Sequence, residues 1–227
     1  MAYQQASTTK GCVLFDLDGT LLDSAPDFIA IINTLLSENH LPNVDPSTLR
    51  EQVSEGARAM LSVGFGKRHP QLDALLSDML ERYHQAPCVY SRLFDGFYSL
   101  LNRVEENYLI WGVVTNKPRR FSEQILHTLE LDQRCSILIC PEDVKETKPS
   151  PEPLLLASKQ LELSPSKIIY VGDHIRDIQS AKAAQMYSIA ALYGYIKADE
   201  DTNSWQADQN ADCVNALWPI IENYFTL

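Results

Sequence analysis

Asp16 and Asp18, in the run Asp16-Leu17-Asp18-Gly19-Thr20, supply two carboxylates two residues apart at the end of the apolar segment Cys12-Val13-Leu14-Phe15. In an extended chain, residues at that spacing project from the same face, so both carboxylates can enter one crevice with a divalent cation between them. One can then serve as a nucleophile and the other as a proton donor, while Gly19 lets the backbone turn tightly. An acidic loop alone is often only a solvated turn. The elements that position it must show whether further chemistry converges there.

Apolar runs rich in β-branched or aromatic residues recur at 12–15, 109–114, 137–140 and 168–171, with a fifth at 188–193, and helical patterns separate them. That alternation predicts an α/β fold with a doubly wound, mostly parallel sheet. In such sheets ligands bind outside the carboxyl ends of the strands. There the chain places Asp16 and Asp18 after the first run and Thr115-Asn116-Lys117 after the second. Lys148-Pro149-Ser150-Pro151-Glu152-Pro153 follows the third, and Gly172-Asp173-His174-Ile175-Arg176-Asp177 the fourth. Each segment has a plain structural reading: Thr115 or Asp173 can cap a helix, and Lys148 can be a surface lysine. Their recurrence at equivalent topological positions favours one joint site.

Residues 24–92 carry no strand pattern. Apolar residues fall instead at helical spacing, first Phe28, Ile31, Ile32, Leu35 and Leu36, then Leu72, Leu75, Leu76, Met79, Leu80 and Tyr83. The expected organisation is a catalytic core of residues 1–23 and 93–227 interrupted by an all-helical cap at 24–92. Ser24 suits an N-cap and Pro26 a first helical turn, so the cap starts directly after the acidic loop. A return crossing near 87–94 would form the second hinge, and a lid on two hinges can exclude water from the chemistry. In the cap, Val53-Ser54-Glu55-Gly56-Ala57-Arg58 places glycine among polar residues between helical stretches. That pattern predicts a loop dipping toward the site, with Ser54, Gly56 and Arg58, joined by Lys117 from the core, as specificity candidates. Arg58 coating a helix is the plainer alternative.

Composition narrows the classes. The 227 residues, 45% of them hydrophobic, can bury a substantial core. A formal charge of -11 argues against a nucleic-acid or anionic-membrane surface, since both need a cationic footprint. The 5 cysteines are odd in number and form no Cys-x-x-Cys pair, which argues against a disulfide framework or zinc cluster. No apolar stretch approaches the roughly 20 residues of a membrane span, and the polar start at 1–10 lacks a hydrophobic leader, so a cytoplasmic protein is expected.

The polar segments at the strand ends reproduce, in order and approximate spacing, the motifs of the haloacid dehalogenase superfamily. The resemblance covers the chain beyond its first ten residues. The helical insert directly after the first motif is similar to the phosphoglycolate phosphatase-like branch. This resemblance implies a phosphomonoesterase in which Asp16 attacks phosphorus and Asp18 serves first as acid and then as base. It assigns phosphoryl oxygens to Thr115 and the Asn116 backbone, and to Lys148 both neutralisation of their charge and restraint of the nucleophile. Mg²⁺ is implied at the Asp16 carboxylate, the Asp18 carbonyl and Asp173, with Asp177 in support. His174 lies beside these ligands, although a loop histidine is more simply solvated. Gln185 stands where relatives commonly carry glycine, which puts the local turn in question.

Several segments resemble the N-acetylmuramic acid 6-phosphate phosphatases of bacterial cell-wall recycling. They are residues 54–61, 110–118 and 151–156, and Tyr193-Gly194-Tyr195-Ile196. Phosphoglycolate phosphatase is the close alternative, and either substrate is a small phosphorylated metabolite bearing a carboxylate. Other classes fit less well. A phospho-acceptor receiver domain has no use for Asp18 or the insert, a metal-independent dehalogenase little use for Asp18, and a helical adaptor none for the acidic set.

Overall fold

A computed structural model describes residues 9–227. The polar start at 1–10 therefore lies almost entirely outside the described residues. The chain begins with β1 (Gly11–Phe15) and β2 (Leu22–Asp23), then enters four helices, α1 (Ala25–Glu38), α2 (Pro46–Arg50), α3 (Ala57–Phe65) and α4 (Leu72–Gln85). It returns through β3 (Arg92–Leu93) to α5 (Phe97–Glu106), β4 (Leu109–Val114), α6 (Arg119–Thr128) and β5 (Leu138–Ile139). There follow α7 (Glu152–Gln160), β6 (Ile168–Gly172), α8 (Ile175–Ala183), β7 (Tyr187–Ala191), β8 (Gln209–Ala211) and α9 (Leu217–Phe225).

Six strands form one parallel sheet in the order β5-β4-β1-β6-β7-β8. Alternation along each strand sends side chains to two buried layers, as the period of two demands. Val13 and Phe15 of β1, Trp111 and Val113 of β4, and Ile169 and Val171 of β6 join a core built with α5, α6 and α9. Cys12, Leu14, Ile168 and Tyr170 face the opposite layer, where Leu154 and Ala157 of α7 and Ala181 of α8 cover them. Helices on both faces make the sheet doubly wound. β8 escapes a sequence reading because Gln209-Asn210-Ala211 is short and largely exposed at the sheet edge.

The four helices between β2 and β3 pack through the apolar positions expected, with Phe28, Ile32, Leu35, Leu36, Leu72, Leu75, Met79 and Tyr83 all buried. The two crossings pair antiparallel, Leu22 against Leu93 and Asp23 against Arg92, so entry and exit of the helical segment are tied together. Ser24 departs from expectation. It sits at the N-cap position of α1, but at φ -90 and ψ -10 its backbone is already helical, and its hydroxyl makes no capping bond. The Tyr195 hydroxyl accepts from the Ala25 N–H instead, at 2.9 Å. Among the described residues no helix is long and apolar enough to cross a membrane.

Gln185 makes the turn that a glycine would make. It adopts φ +58 while its N–H and that of Met186 close α8 onto the carbonyls of Lys182 and Ala181. The left-handed backbone crowds the Cβ of any L-residue, and the Gln185 side chain is exposed. Gln185→Gly should therefore raise unfolding stability by about 0.5–1 kcal/mol, after allowing for glycine's extra unfolded-state freedom. Urea denaturation measures this, and a loss of stability would contradict it.

Candidate active site

β4, β1 and β6 are neighbours in the sheet, so Thr115, Asp16 and Asp173, each the residue just past its strand, emerge side by side. The Asp16 N–H continues the ladder, donating to Val171 O at 2.9 Å, which fixes the point where the carboxylate leaves the sheet. Lys148 arrives from the segment between β5 and α7. Its side chain is fully buried, with Nζ 2.9 Å from Asp16 Oδ1 and 2.7 Å from Asp177 Oδ1. The same ammonium donates to the Tyr170 hydroxyl at 2.7 Å and to Val114 O at 3.1 Å. The ammonium is thus engaged by Asp16, Asp177, Tyr170 and Val114. Asn116 holds the lysine's segment in place: its side-chain amide donates to Lys148 O at 3.0 Å and accepts from Lys148 N at 3.2 Å.

Asp173 accepts from the Thr20 hydroxyl at 3.2 Å and from Tyr195 N at 2.9 Å. Gly19, at φ +81, passes so close that a Cβ would collide with the Asp173 carboxylate. Asp177 accepts from the His174 N–H at 3.1 Å. One carboxylate oxygen from each of Asp16, Asp173 and Asp177 lies within 4.8 Å of the others. Hard oxygen donors so grouped suit Mg²⁺ or another hard divalent cation. Electrostatics agree, since three acids face one ammonium. Burial, then Asp16 and Asp177, pushes the Asp173 carboxyl up to about 8. Burial also raises Asp177 despite its contact with Lys148. Lys148 is held above the ordinary lysine range because Asp16 and Asp177 outweigh the opposing effect of burial.

Asp18 meets a different cation. Lys117 Nζ contacts both of its carboxylate oxygens, at 2.9 and 3.0 Å. Lys117 N donates to Thr115 Oγ1 at 3.1 Å, which leaves the threonine's own proton available to a ligand oxygen. His174 caps α8, its Nδ1 accepting from Arg176 N at 3.2 Å, and burial followed by Arg176 lowers it to about 4. It stays neutral at pH 7.

A cavity of about 330 Å³ opens over Asp16, Asp18 and Thr115, and Phe28, Tyr83 and Phe121 contribute to its wall. Ser54, Glu55 and Gly56 reach it from the short turn before α3, where Gly56 holds φ +90. This turn is fastened to the core: Arg176 donates to Ser54 O, and Lys197 pairs with Glu55 at 2.7 Å. Arg58, proposed from sequence to dip into the site, does not line the cavity. It lies on the outer face of α3 in an exposed pair with Asp73 of α4. Glycine at 56 ends the inward turn, and the helix that starts at Ala57 carries Arg58 away from it. The cavity's guanidiniums are Arg120 and Arg176. Arg176 stands within the segment 172–177 that read as functional, whereas Arg120 lies just beyond Thr115-Asn116-Lys117, and nothing in the spacing marked either out.

A sequence profile of the haloacid dehalogenase-like hydrolases matches residues 13–191. An N-acetylmuramic acid 6-phosphate phosphatase of Pseudomonas putida is 47% identical over 214 residues, 93% of this chain and 96% of that protein. A phosphoglycolate phosphatase of Xanthomonas campestris is 45% identical over 207 residues, 91% of this chain and 94% of its own length. The fold superposes on a crystal structure described as a predicted phosphoglycolate phosphatase from Haemophilus somnus, with a TM-score of 0.82 and 24% identity, over 95% of this chain and 100% of that one. The chain belongs to the haloacid dehalogenase-like hydrolase family. Within it, this enzyme is a phosphoric monoester hydrolase.

The raised Asp173 carboxyl has a measurable consequence. Free of cation, the folded protein keeps a proton up to about pH 8 that an unfolded aspartate loses near 3.8. This group therefore favours the fold at low pH, and its contribution is lost as pH rises from about 4 to 8. A cation must displace the same proton, so Mg²⁺ affinity should tighten about tenfold per pH unit between 6 and 8. Isothermal titration calorimetry at several pH values checks this, and an affinity independent of pH would contradict it.

Proposed function

We propose that this enzyme hydrolyses N-acetylmuramic acid 6-phosphate through an aspartyl-phosphate formed on Asp16, with Mg²⁺ bound nearby. The observation that carries the choice of ester is the cavity. At about 330 Å³ it falls within the range of ~300–1,000 Å³ that holds ligands larger than a two-carbon acid. Its aromatic wall suits the C–H faces of a sugar ring. The 47% identity to the Pseudomonas putida enzyme supports the same reading. The Xanthomonas campestris relative favours 2-phosphoglycolate as the second reading.

In the proposed reaction Asp16, steadied by Lys148, attacks phosphorus in line as the bond to the sugar oxygen breaks. Asp18 in its protonated form gives its proton to the departing oxygen. It then takes a proton from the water that attacks the acyl phosphate, which releases inorganic phosphate and restores the Asp16 carboxylate. The Thr115 hydroxyl and the Asn116 N–H would hold phosphoryl oxygens throughout. The cation, held by the carboxylates of Asp16 and Asp173 and the carbonyl of Asp18 with Asp177 in support, would supply the positive charge that lets a carboxylate approach a phosphate dianion. Residues 24–92 would act as the lid over the core of 1–23 and 93–227. We place the reaction in the cytoplasm, in keeping with five unpaired cysteines, of which Cys12, Cys88 and Cys140 are buried.

The Arg120 guanidinium lines the cavity and lies over the Phe121 ring, 4.4 Å from its centroid. We assign it to the carboxylate that the ester carries besides its phosphate.

With Mg²⁺ present, kcat/KM should favour N-acetylmuramic acid 6-phosphate over 2-phosphoglycolate by at least about tenfold. The reverse order would hand the site to the smaller ester. Asp16→Asn should lower kcat by more than about 10³-fold and leave the thermal transition almost unmoved, so retained turnover would refute its role. Arg120→Met should raise KM for the carboxylate-bearing ester about tenfold more than for p-nitrophenyl phosphate, whereas Arg58→Ala should change either by less than about twofold. Equal effects of Arg120→Met on both esters would contradict the assignment.

A further inference from the structure

Lys117 is a buried lysine whose surroundings come from two parts of the molecule. On the core side its ammonium grips both oxygens of Asp18, at 2.9 and 3.0 Å. On the other side it lies 4.9 Å from the centroid of the Phe28 ring and 4.7 Å from that of Tyr83. Those rings belong to α1 and α4, the first and last helices of the insert, and they stack on each other at 4.3 Å and 18°. Only 6% of the Lys117 side chain is exposed. Core and insert thus meet on one charged atom.

We propose that Lys117 is a positioning residue that links seating of the helical insert to the aim of the Asp18 carboxylate. The rings attract the ammonium through their π faces and shut out water. In that dry setting the ammonium and carboxylate hold a fixed geometry. When α1 and α4 lift, water solvates Lys117, and the exposed pair keeps neither its strength nor its orientation. Asp18 is then correctly aimed only while the insert covers the site, so proton transfer to the departing oxygen, and later from the attacking water, waits on closure.

This inference rests on the acid and base role of Asp18 in the proposed reaction, and the test separates the two. p-Nitrophenyl phosphate has a good leaving group that needs little acid assistance, so the burden falls on hydrolysis of the phosphoenzyme. Rapid-quench kinetics of Lys117→Met should show a burst near one equivalent of nitrophenolate, then a steady rate at least about tenfold below the parent. Phe28→Leu, which removes one of the two rings over the Lys117 ammonium, should shift kcat for p-nitrophenyl phosphate the same way by about threefold or more, and Lys117→Arg should recover part of the loss. Asp18→Asn should also give the burst. If it does not, the acid and base role fails; if it does while Lys117→Met shows no burst or changes only KM, the positioning role of Lys117 is overturned. Should Lys117→Met not fold, Phe28→Leu decides alone: a kcat within twofold of the parent overturns the proposal.

Discussion

The structure is organised around an unbalanced charge. Asp16, Asp173 and Asp177 converge within 4.8 Å, while Lys148, buried among them, supplies a single positive charge. Removing charged groups from water is unfavourable unless partners are closely placed, and here the ammonium answers only part of the demand. The upward push on Asp173 expresses that deficit. A parallel sheet tolerates it because three adjacent strands deliver the charged loops to one edge, and because backbone and side-chain donors from Thr20, Tyr195 and His174 hold the carboxylates in place. A bound divalent cation would complete the balance.

The helical insert supplies what the sheet edge lacks, which is an enclosure. Its contacts with the core include Arg176 to the Ser54 carbonyl, Lys197 to Glu55, Lys117 against Phe28 and Tyr83, and Tyr83 and His84 against the Phe121 ring. The hinge is tied into the acidic site as well. The Tyr195 N–H donates to Asp173, while its hydroxyl donates to Asp23 at 2.8 Å and accepts from the first N–H of α1. Arg50 of α2 pairs with Asp23 and lies over the Tyr195 ring. One aromatic side chain therefore connects the Asp173 loop, the hinge and the insert.

The strand ends were legible because each carries its chemistry immediately after an apolar run, and a parallel sheet places equivalent ends together. Asp16, Thr115 and Asp173 follow from that rule, while Lys148 and Asp177 lie several residues further along the segments that leave the same edge. The insert's first and last helices were legible from spacing, whereas α2 and α3 were not. Arg58 shows where this reasoning stops: one residue past Gly56 decides whether a side chain faces the cavity or the solvent, and the local pattern permits both. Ser24 failed for a related reason, since its N-cap role needed an extended backbone that the hinge does not allow. Phe28 and Tyr83 read correctly as buried helix positions, but their second role against Lys117 depends on how the insert meets the core. The polar strand β8 and the short β2–β3 pair lack the apolar alternation by which strands are found.

The central claim is that the Asp16 carboxylate, aimed by Lys148, takes the phosphoryl group. The most direct measurement is to quench the enzyme with acid during turnover, reduce the acyl phosphate with borohydride and map the product by mass spectrometry. The account predicts homoserine in place of aspartate at position 16 and nowhere else. Label absent from that position, or found on another carboxylate under the same conditions, would contradict it.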